Sequence, residues 1–194
     1  NEGGSHIDDL SPDDITAMLD QGFSATTDPA CLASARTVVI CVPTPLSPEG
    51  GPDLGAVTSA AKSIAANLTP GTLVILESTT YPGTTEEVVR PILEESGLVA
   101  GSDFHLAFSP ERIDPGNAAF GVANTPKVVG GMTPTCGERA AEFYGAFVNS
   151  VVLARGTREA EMAKLLENTY RHVNIALVNE MAVFCQELGI DLWD

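Results

Sequence analysis

Short apolar runs without polar interruption alternate along this chain with stretches in which apolar residues recur every three or four positions. The run Thr37-Val38-Val39-Ile40-Cys41-Val42 is rich in β-branched residues and has no polar alternation, which predicts a strand covered on both faces and stopped by Pro43-Thr44-Pro45. A Gly/Pro loop over 46–52 leads into a predicted helix over 53–67, then a strand over 73–77, a loop over 78–83 and a helix over 84–96. A strand over 104–108, a long loop over 109–117, a strand over 127–129, a helix over 134–147, a strand over 151–154 and a last helix from about 158 to 188 complete the pattern. Upstream, Ser11-Pro12-Asp13-Asp14 reads as the capped start of a helix ending near Gly22. Residues 23–27 read as a short strand, and Asp28-Pro29 starts a helical turn through Ala35. Strands and helices in alternation predict an α/β fold, a doubly wound and mostly parallel sheet with helices on both faces. Function is then expected in the loops at the carboxyl ends of the strands.

Charge narrows the partners. Ten basic against twenty-six acidic residues in 194 give a formal charge of −16, which argues against nucleic acid or an anionic membrane surface as a partner, since both need clustered Lys and Arg. An anionic substrate would have to be held by local dipoles and a few placed cations. No apolar run approaches the roughly 18 to 20 residues that span a bilayer. The opening Asn1-Glu2-Gly3-Gly4-Ser5-His6 has neither a basic start nor an apolar core, so a cytoplasmic protein is expected. Cys31, Cys41, Cys136 and Cys185 are scattered without paired spacings and read as reduced thiols, mostly in the core; with His6, His105 and His172 standing alone, no metal site is expected.

Three loops leave predicted strands and at once present proline, hydroxyl or acidic side chains: Val42-Pro43-Thr44-Pro45, Glu77-Ser78-Thr79-Thr80-Tyr81-Pro82-Gly83 and Ser109-Pro110-Glu111-Arg112. All would line one edge of the sheet, stiffened by prolines that fix φ. In the last helix, Lys164, Asn168 and Arg171 recur at i, i+4 and i+7 on one face of an otherwise apolar surface. Two readings stand for that stripe: it faces solvent, or it faces an anionic ligand or partner carboxylates such as Glu161 and Glu167.

The segments Val39-Ile40-Cys41-Val42-Pro43-Thr44-Pro45, Glu77-Ser78-Thr79, Phe108-Ser109-Pro110-Glu111-Arg112, Lys164-Leu165-Leu166-Glu167-Asn168-Thr169-Tyr170-Arg171 and Asn174-Ile175-Ala176-Leu177-Val178-Asn179-Glu180 resemble, in order and spacing, the NAD-dependent nucleotide-sugar 6-dehydrogenases, the UDP-glucose/GDP-mannose dehydrogenase family. Ser-Pro-Glu-Arg followed by Asp114-Pro115-Gly116-Asn117 is more similar to the branch acting on UDP-N-acetylhexosamines, UDP-N-acetylglucosamine or UDP-N-acetylmannosamine, than to the UDP-glucose branch, where a Phe usually follows that Glu. The resemblance implies a C6 alcohol oxidised twice to a carboxylate with two NAD⁺ reduced, through a cysteine-bound thiohemiacetal and thioester. By matching position, Thr79 would orient the C6 oxygen or a water, Glu111 would do acid/base work and thioester hydrolysis, and Lys164 and Asn168 would donate to the oxygen that becomes negative. Val42, Pro43, Thr44, Ser78 and Thr79 would flank NAD, while Arg112, Lys164, Asn168 and Arg171 would contact the UDP-sugar.

The resemblance also implies parts that this chain does not show. Such enzymes are similar in opening with a strand and a G-x-G-x-x-G loop, whereas Asn1, Gly3, Ser5 and Ile7 match a later family segment, and Gly50-Gly51 and Gly130-Gly131 lack the fingerprint context. The implied organisation is an incomplete Rossmann-like NAD-binding domain over 1–155, a central linker and dimerisation helix over 156–194, and no UDP-binding domain with its nucleophilic cysteine. Thr37 to Val42 would then form an apolar sheet edge, and the chain alone is expected to be an inactive internal fragment. Two other readings stay open: a β-hydroxyacid dehydrogenase, which is similar in carrying a Lys and an Asn four apart after a Gly (Gly156, Lys164, Asn168), and a non-catalytic module whose apolar last helix, about 45 Å long, serves as a dimer interface.

Overall fold

The computed structural model describes residues 10–48, 50–113 and 121–193. The resemblance drawn at Asn1, Gly3, Ser5 and Ile7 and at Asp114-Pro115-Gly116-Asn117 therefore lies outside the described residues. Five strands, β1 (Thr37–Ile40), β2 (Leu73–Leu76), β3 (His105–Phe108), β4 (Lys127–Gly131) and β5 (Val151–Leu153), form one sheet in sequence order. β1, β2 and β3 run parallel, as do β4 and β5, and β3 pairs antiparallel with β4. The register aligns Val38, Val74 and Leu106, and beside them Val39, Ile75 and Ala107. Because neighbouring side chains point to opposite faces, this register divides the core in two.

On one face Val38, Ile40, Val74, Leu76, Leu106 and Phe108 pack against α2 (Gly55–Ala65), α3 (Arg90–Glu94) and Ala160 at the start of α5 (Thr157–Leu188). On the other, Leu73, Ile75, Ala107 and Val129 pack against Ala140, Tyr144 and Val148, from or just after α4 (Pro134–Gly145). Every residue of β2 is buried, as expected of a strand covered on both sides, whereas β1 alternates half-buried with buried positions and is an edge of this sheet. The glycine pair of β4 exists for close approach. A Cβ on Gly130 would lie 2.0 Å from the Gly156 carbonyl oxygen, and one on Gly131 would lie 2.0 Å from the Gly137 backbone nitrogen. Gly130-Gly131 thus lets α4 and α5 sit directly on the sheet.

Several expectations need correction. Residues 23–27 are not a strand; Phe23 is exposed, and no neighbouring strand among the described residues offers backbone partners. The region expected as one helix over 84–96 is a π-helix (Thr84–Val89) followed by α3. Pro91, which has no N–H to give to an i−4 carbonyl, sits in the first turn of α3, and Arg90 N–H reaches back to Thr85, five residues away. The sheet is parallel except for the β3–β4 pair. Of the cysteines expected mostly in the core, Cys136 is buried, Cys185 half-buried, and Cys31 and Cys41 exposed. The first helix, α1 (Pro12–Asp20), does carry the expected cap: Ser11 accepts from Asp14 N–H while the Asp14 carboxylate accepts from Ser11 N–H.

Gly130→Ala and Gly131→Ala are each expected to lower stability by about 1 to 3 kcal/mol or more, because backbone rather than a flexible side chain must move. Urea unfolding monitored by circular dichroism measures this, with Gly145→Ala, where a Cβ meets nothing within 4 Å, as the tolerated control.

Candidate active site

The loops after β1, β2 and β3 converge at the carboxyl edge of the sheet and are tied to each other before any ligand is considered. Ser78 Oγ donates to the Val42 carbonyl at 2.7 Å and the Ile40 carbonyl at 3.2 Å, and Thr44 Oγ1 donates to the Thr79 carbonyl at 2.7 Å. Ser78 is therefore buried as a brace, while the Thr79 side chain stays exposed. Pro43 and Pro45 present rings and no N–H on the same ledge.

The third loop brings Glu111 beside Lys127, which opens β4. Glu111 Oε1 accepts from the Arg112 and Ile113 backbone N–H groups at 2.7 and 2.5 Å, and Oε2 lies 3.4 Å from Lys127 Nζ. Lys127 Nζ also donates to Glu77, whose other carboxylate oxygen accepts from Tyr144 Oη at 2.7 Å. Burial pushes the Glu111 carboxyl up, but the backbone N–H of Ile113 and the charge of Lys127 outweigh it and hold the group below the usual range. Glu111 is thus ionised at neutral pH. Burial, then the Glu77 charge, pushes the Tyr144 hydroxyl up, so it remains a donor. Cys41, close enough to feel Glu77, Lys127 and Glu111, is likewise pushed up by partial desolvation and then by Glu77; its thiol is held protonated and is a poor nucleophile.

From α5, Lys164 Nζ donates to the Glu111 backbone carbonyl. Arg112 forms a forked pair with Glu167 through Nε at 3.0 and 3.1 Å and through a terminal nitrogen, and donates to the Pro126 carbonyl at 2.9 Å. N–H groups remain on both terminal nitrogens of Arg112. Burial pulls the Lys164 ammonium below its usual value, opposed by Glu167 and Glu111. Asn168 is half-buried and Arg171 exposed, and neither side chain has a hydrogen bond among the described residues. The cation stripe thus divides: Lys164 is committed to the Glu111 loop, Asn168 is available beside it one turn on, and Arg171 faces outward.

Glu161, expected as a salt-bridge partner of that stripe, has a different task. It is fully buried, and its carboxylate accepts from Gly83 N–H at 2.6 Å, Thr85 N–H at 2.9 Å and Thr85 Oγ1 at 2.7 Å. It closes the start of the π-helix, where Gly83 has φ of 102°, a left-handed conformation that suits glycine. Burial pushes the Glu161 carboxyl up against these donors. Thr157 donates to Glu86 at 2.7 Å and Arg158 to Glu87 at 2.5 Å, so the first turns of α5 are stitched to the segment that follows Thr79.

Lys127, Tyr144 and the clamp at Glu161 were not singled out from the sequence. For Lys127 a signal existed: a lone lysine opening the apolar run Val128-Val129. Nothing in the sequence marks Glu161, a glutamate among others on a helix, as buried.

A Rossmann-like sheet with its site at the carboxyl edge, joined to a long helix that reaches the same edge, is the architecture of a dinucleotide-dependent dehydrogenase. Residues 1–148 match the NAD binding domain, and residues 158–194 the central domain, of the UDP-glucose/GDP-mannose dehydrogenase family, to which the chain belongs. It is 39% identical over 205 residues to the UDP-N-acetyl-D-mannosamine dehydrogenase of Salmonella typhi, covering 100% of this chain and 48% of that protein. It is 38% identical over 188 residues to the NDP-N-acetyl-D-galactosaminuronic acid dehydrogenase of Ralstonia solanacearum, covering 93% and 44%. The solved UDP-D-ManNAc dehydrogenase of Pyrococcus horikoshii superposes with a TM-score of 0.90 at 36% identity, over 98% of this chain and 46% of that one. The chain thus spans about half the length of the curated relatives it matches. Membership of this family removes the β-hydroxyacid dehydrogenase reading.

The ledge formed by Val42, Pro43, Thr44, Ser78 and Thr79 fits one end of NAD. Its hydroxyls at Thr44 and Ser78 are spent on backbone carbonyls and its prolines carry no N–H, so it offers ring surface and the exposed Thr79. That suits the nicotinamide and ribose, not the diphosphate. The glycine loop before α2 does not form a diphosphate cradle, because the Asp53 carboxylate already takes the Gly55 N–H at 2.8 Å and would repel a phosphate.

Replacing Glu161 by Leu is expected to lower stability by about 3 kcal/mol or more, since three buried donors lose their acceptor. Glu161→Gln, which keeps one acceptor oxygen, is expected to cost less. Thermal unfolding of both variants checks the order.

Proposed function

We propose that this chain is the NAD-side half of a dehydrogenase that oxidises the C6 alcohol of a UDP-N-acetylhexosamine, UDP-N-acetylmannosamine first among them, to the uronic acid. The observation that carries this reading is the meeting of Lys164 from α5 with the Glu111 loop from β3, across 53 residues of sequence. It brings a cation and an ionised carboxylate together at the carboxyl edge of the sheet, which supports a reactive centre there. The relatives named for N-acetylhexosamine substrates support the substrate class.

When bound, NAD⁺ supplies the hydride acceptor for both oxidations. Lys164 donates to the C6 oxygen as it gains negative charge, and Asn168, free of other hydrogen bonds among the described residues, donates to the same oxygen. Thr79 orients that oxygen or the attacking water from the exposed end of the ledge. Hydrolysis of the cysteine thioester consumes one water. Glu111 takes a proton from that water as the oxygen adds to the carbonyl carbon; the C–S bond then breaks and the thiolate leaves. Glu111, held ionised by Lys127 and two backbone N–H groups, suits the base role. Arg112 contributes its remaining N–H groups, and Arg171 its exposed charge, to the anionic nucleotide sugar.

By this reading residues 1–155 form the NAD-binding part and 156–194 the central segment, with the boundary at Gly156. The 32-residue α5 leaves Leu166, Tyr170, Val173, Leu177 and Phe184 exposed by half or more, a surface suited to a second copy of the same helix. No helix among the described residues is long and apolar enough to cross a membrane. With its free thiols, the protein is assigned to the cytoplasm.

In the complete gene product, Lys164→Ala is expected to lower kcat by about 10² to 10³-fold. Glu111→Gln is expected to release NADH but stall with sugar acyl bound to the enzyme, visible as an added mass on the intact protein. Free uronic acid formed at the unaltered rate by both variants would overturn the assignment. Tyr170→Asp with Leu177→Asp is expected to halve the mass measured by light scattering.

A further inference from the structure

The polar group beneath Glu111 is more elaborate than a surface carboxylate needs. Lys127 and Glu77 leave only 11% and 15% of their side chains exposed, and both lie on the face of the sheet covered by α4. Lys127 Nζ contacts both carboxylates, and Tyr144 braces the arrangement twice, with its hydroxyl on Glu77 at 2.7 Å and its ring 5.0 Å from Lys127 Nζ. As a stabilising device such a trio is poor, because apolar side chains of the same volume serve as well or better. It does give direction: with Glu77 and Tyr144 fixing Lys127, the ammonium holds Oε2 of Glu111 while backbone N–H groups hold Oε1.

We propose that Lys127, seated by Glu77 and Tyr144, is the positioning residue that aims the Glu111 carboxylate at the attacking water. This rests on the base role assigned to Glu111 above. An adjoining cavity of about 160 Å³, lined among others by Glu77, Glu111, Lys127, Phe143 and Tyr144, has the volume and the polar partners for ordered water against the carboxylate. Among the described residues, the charged and titratable groups facing Glu111 are Lys127 from β4, Glu77 from the end of β2, Cys41 from the end of β1, Tyr144 from α4, Lys164 from α5 and its neighbour Arg112. Lys127 is the cation whose ammonium contacts the carboxylate itself; Lys164 contacts the backbone carbonyl.

The sign of the pH effect follows. Lys127 favours the ionised form of Glu111, so removing it raises the pH at which the base is lost. In the complete gene product, Lys127→Met is expected to shift the acid limb of the kcat profile upward by about half to one pH unit, since an opposite charge at this distance moves a carboxyl by roughly that much when partly exposed. It is also expected to lower kcat at the optimum about tenfold or more, with KM for NAD⁺ unchanged. Lys127→Arg should restore the limb. If Lys127→Met does not reach the native fold because Glu77 is left unpaired, Glu77→Gln with Lys127→Met removes both charges and decides. An acid limb that stays in place in a folded variant lacking Lys127 overturns the proposal. The parent reading fails separately: Glu111→Gln retaining both kcat and its acid limb would remove Glu111 as the base whatever Lys127 does.

Discussion

The arrangement hangs on one buried carboxylate. Glu161 enters the interior from the first turns of α5 and takes three hydrogen bonds from Gly83 and Thr85, so a helix that meets the sheet through Ala160 is held in rotation and height. A buried charge without partners costs several kcal/mol. The pose in which all three donors are met is therefore strongly preferred over any slipped one. Three residues on, nearly one turn of helix, Lys164 arrives over the Glu111 carbonyl, and six residues on, Glu167 arrives at Arg112. Gly130-Gly131 permits the approach by leaving no Cβ between β4 and the starts of α4 and α5.

The same clamp joins the two halves of the site. Gly83 and Thr85 belong to the segment that follows Ser78-Thr79, and Ser78 is hydrogen-bonded to the β1 loop. A rigid chain of contacts therefore runs from the ledge of the β1 and β2 loops through the π-helix and Glu161 to Lys164. The loops are stiff because their prolines and spent hydroxyls leave the backbone few alternatives. In an acidic chain of net charge −16, Lys127, Lys164 and Arg112 are gathered at this edge, each against a carboxylate or carbonyl that fixes it.

The sheet and its order of elements were legible because β-branched runs such as 37–40 and 73–76 admit one interpretation once helical stretches separate them. Residues 23–27 misled for the same reason: a short β-prone stretch with no partner strand has nothing to pair with, and propensity alone does not hold it extended in a sheet. The π-helix escaped because its cause, Pro91, sits past the segment it distorts. Thr79, Glu111, Lys164 and Asn168, proposed for the site, were picked out by motif resemblance, and Lys164 with Asn168 also by helical spacing. The partnerships were not: Lys127 with Glu111, Arg112 with Glu167 and Glu161 with Gly83 each join positions about 16 to 78 residues apart. Which of many carboxylates meets which donor is decided by tertiary packing, not by neighbours in sequence.

In the proposed mechanism Glu161 acts on chemistry only by placing Lys164. A double-mutant cycle on kcat/KM in the complete gene product, with Glu161→Gln, Lys164→Met and both together, tests it most directly. The account predicts strong non-additivity, with Glu161→Gln costing little once Lys164 is gone. Additive losses, each substitution costing as much in the presence as in the absence of the other, would contradict it.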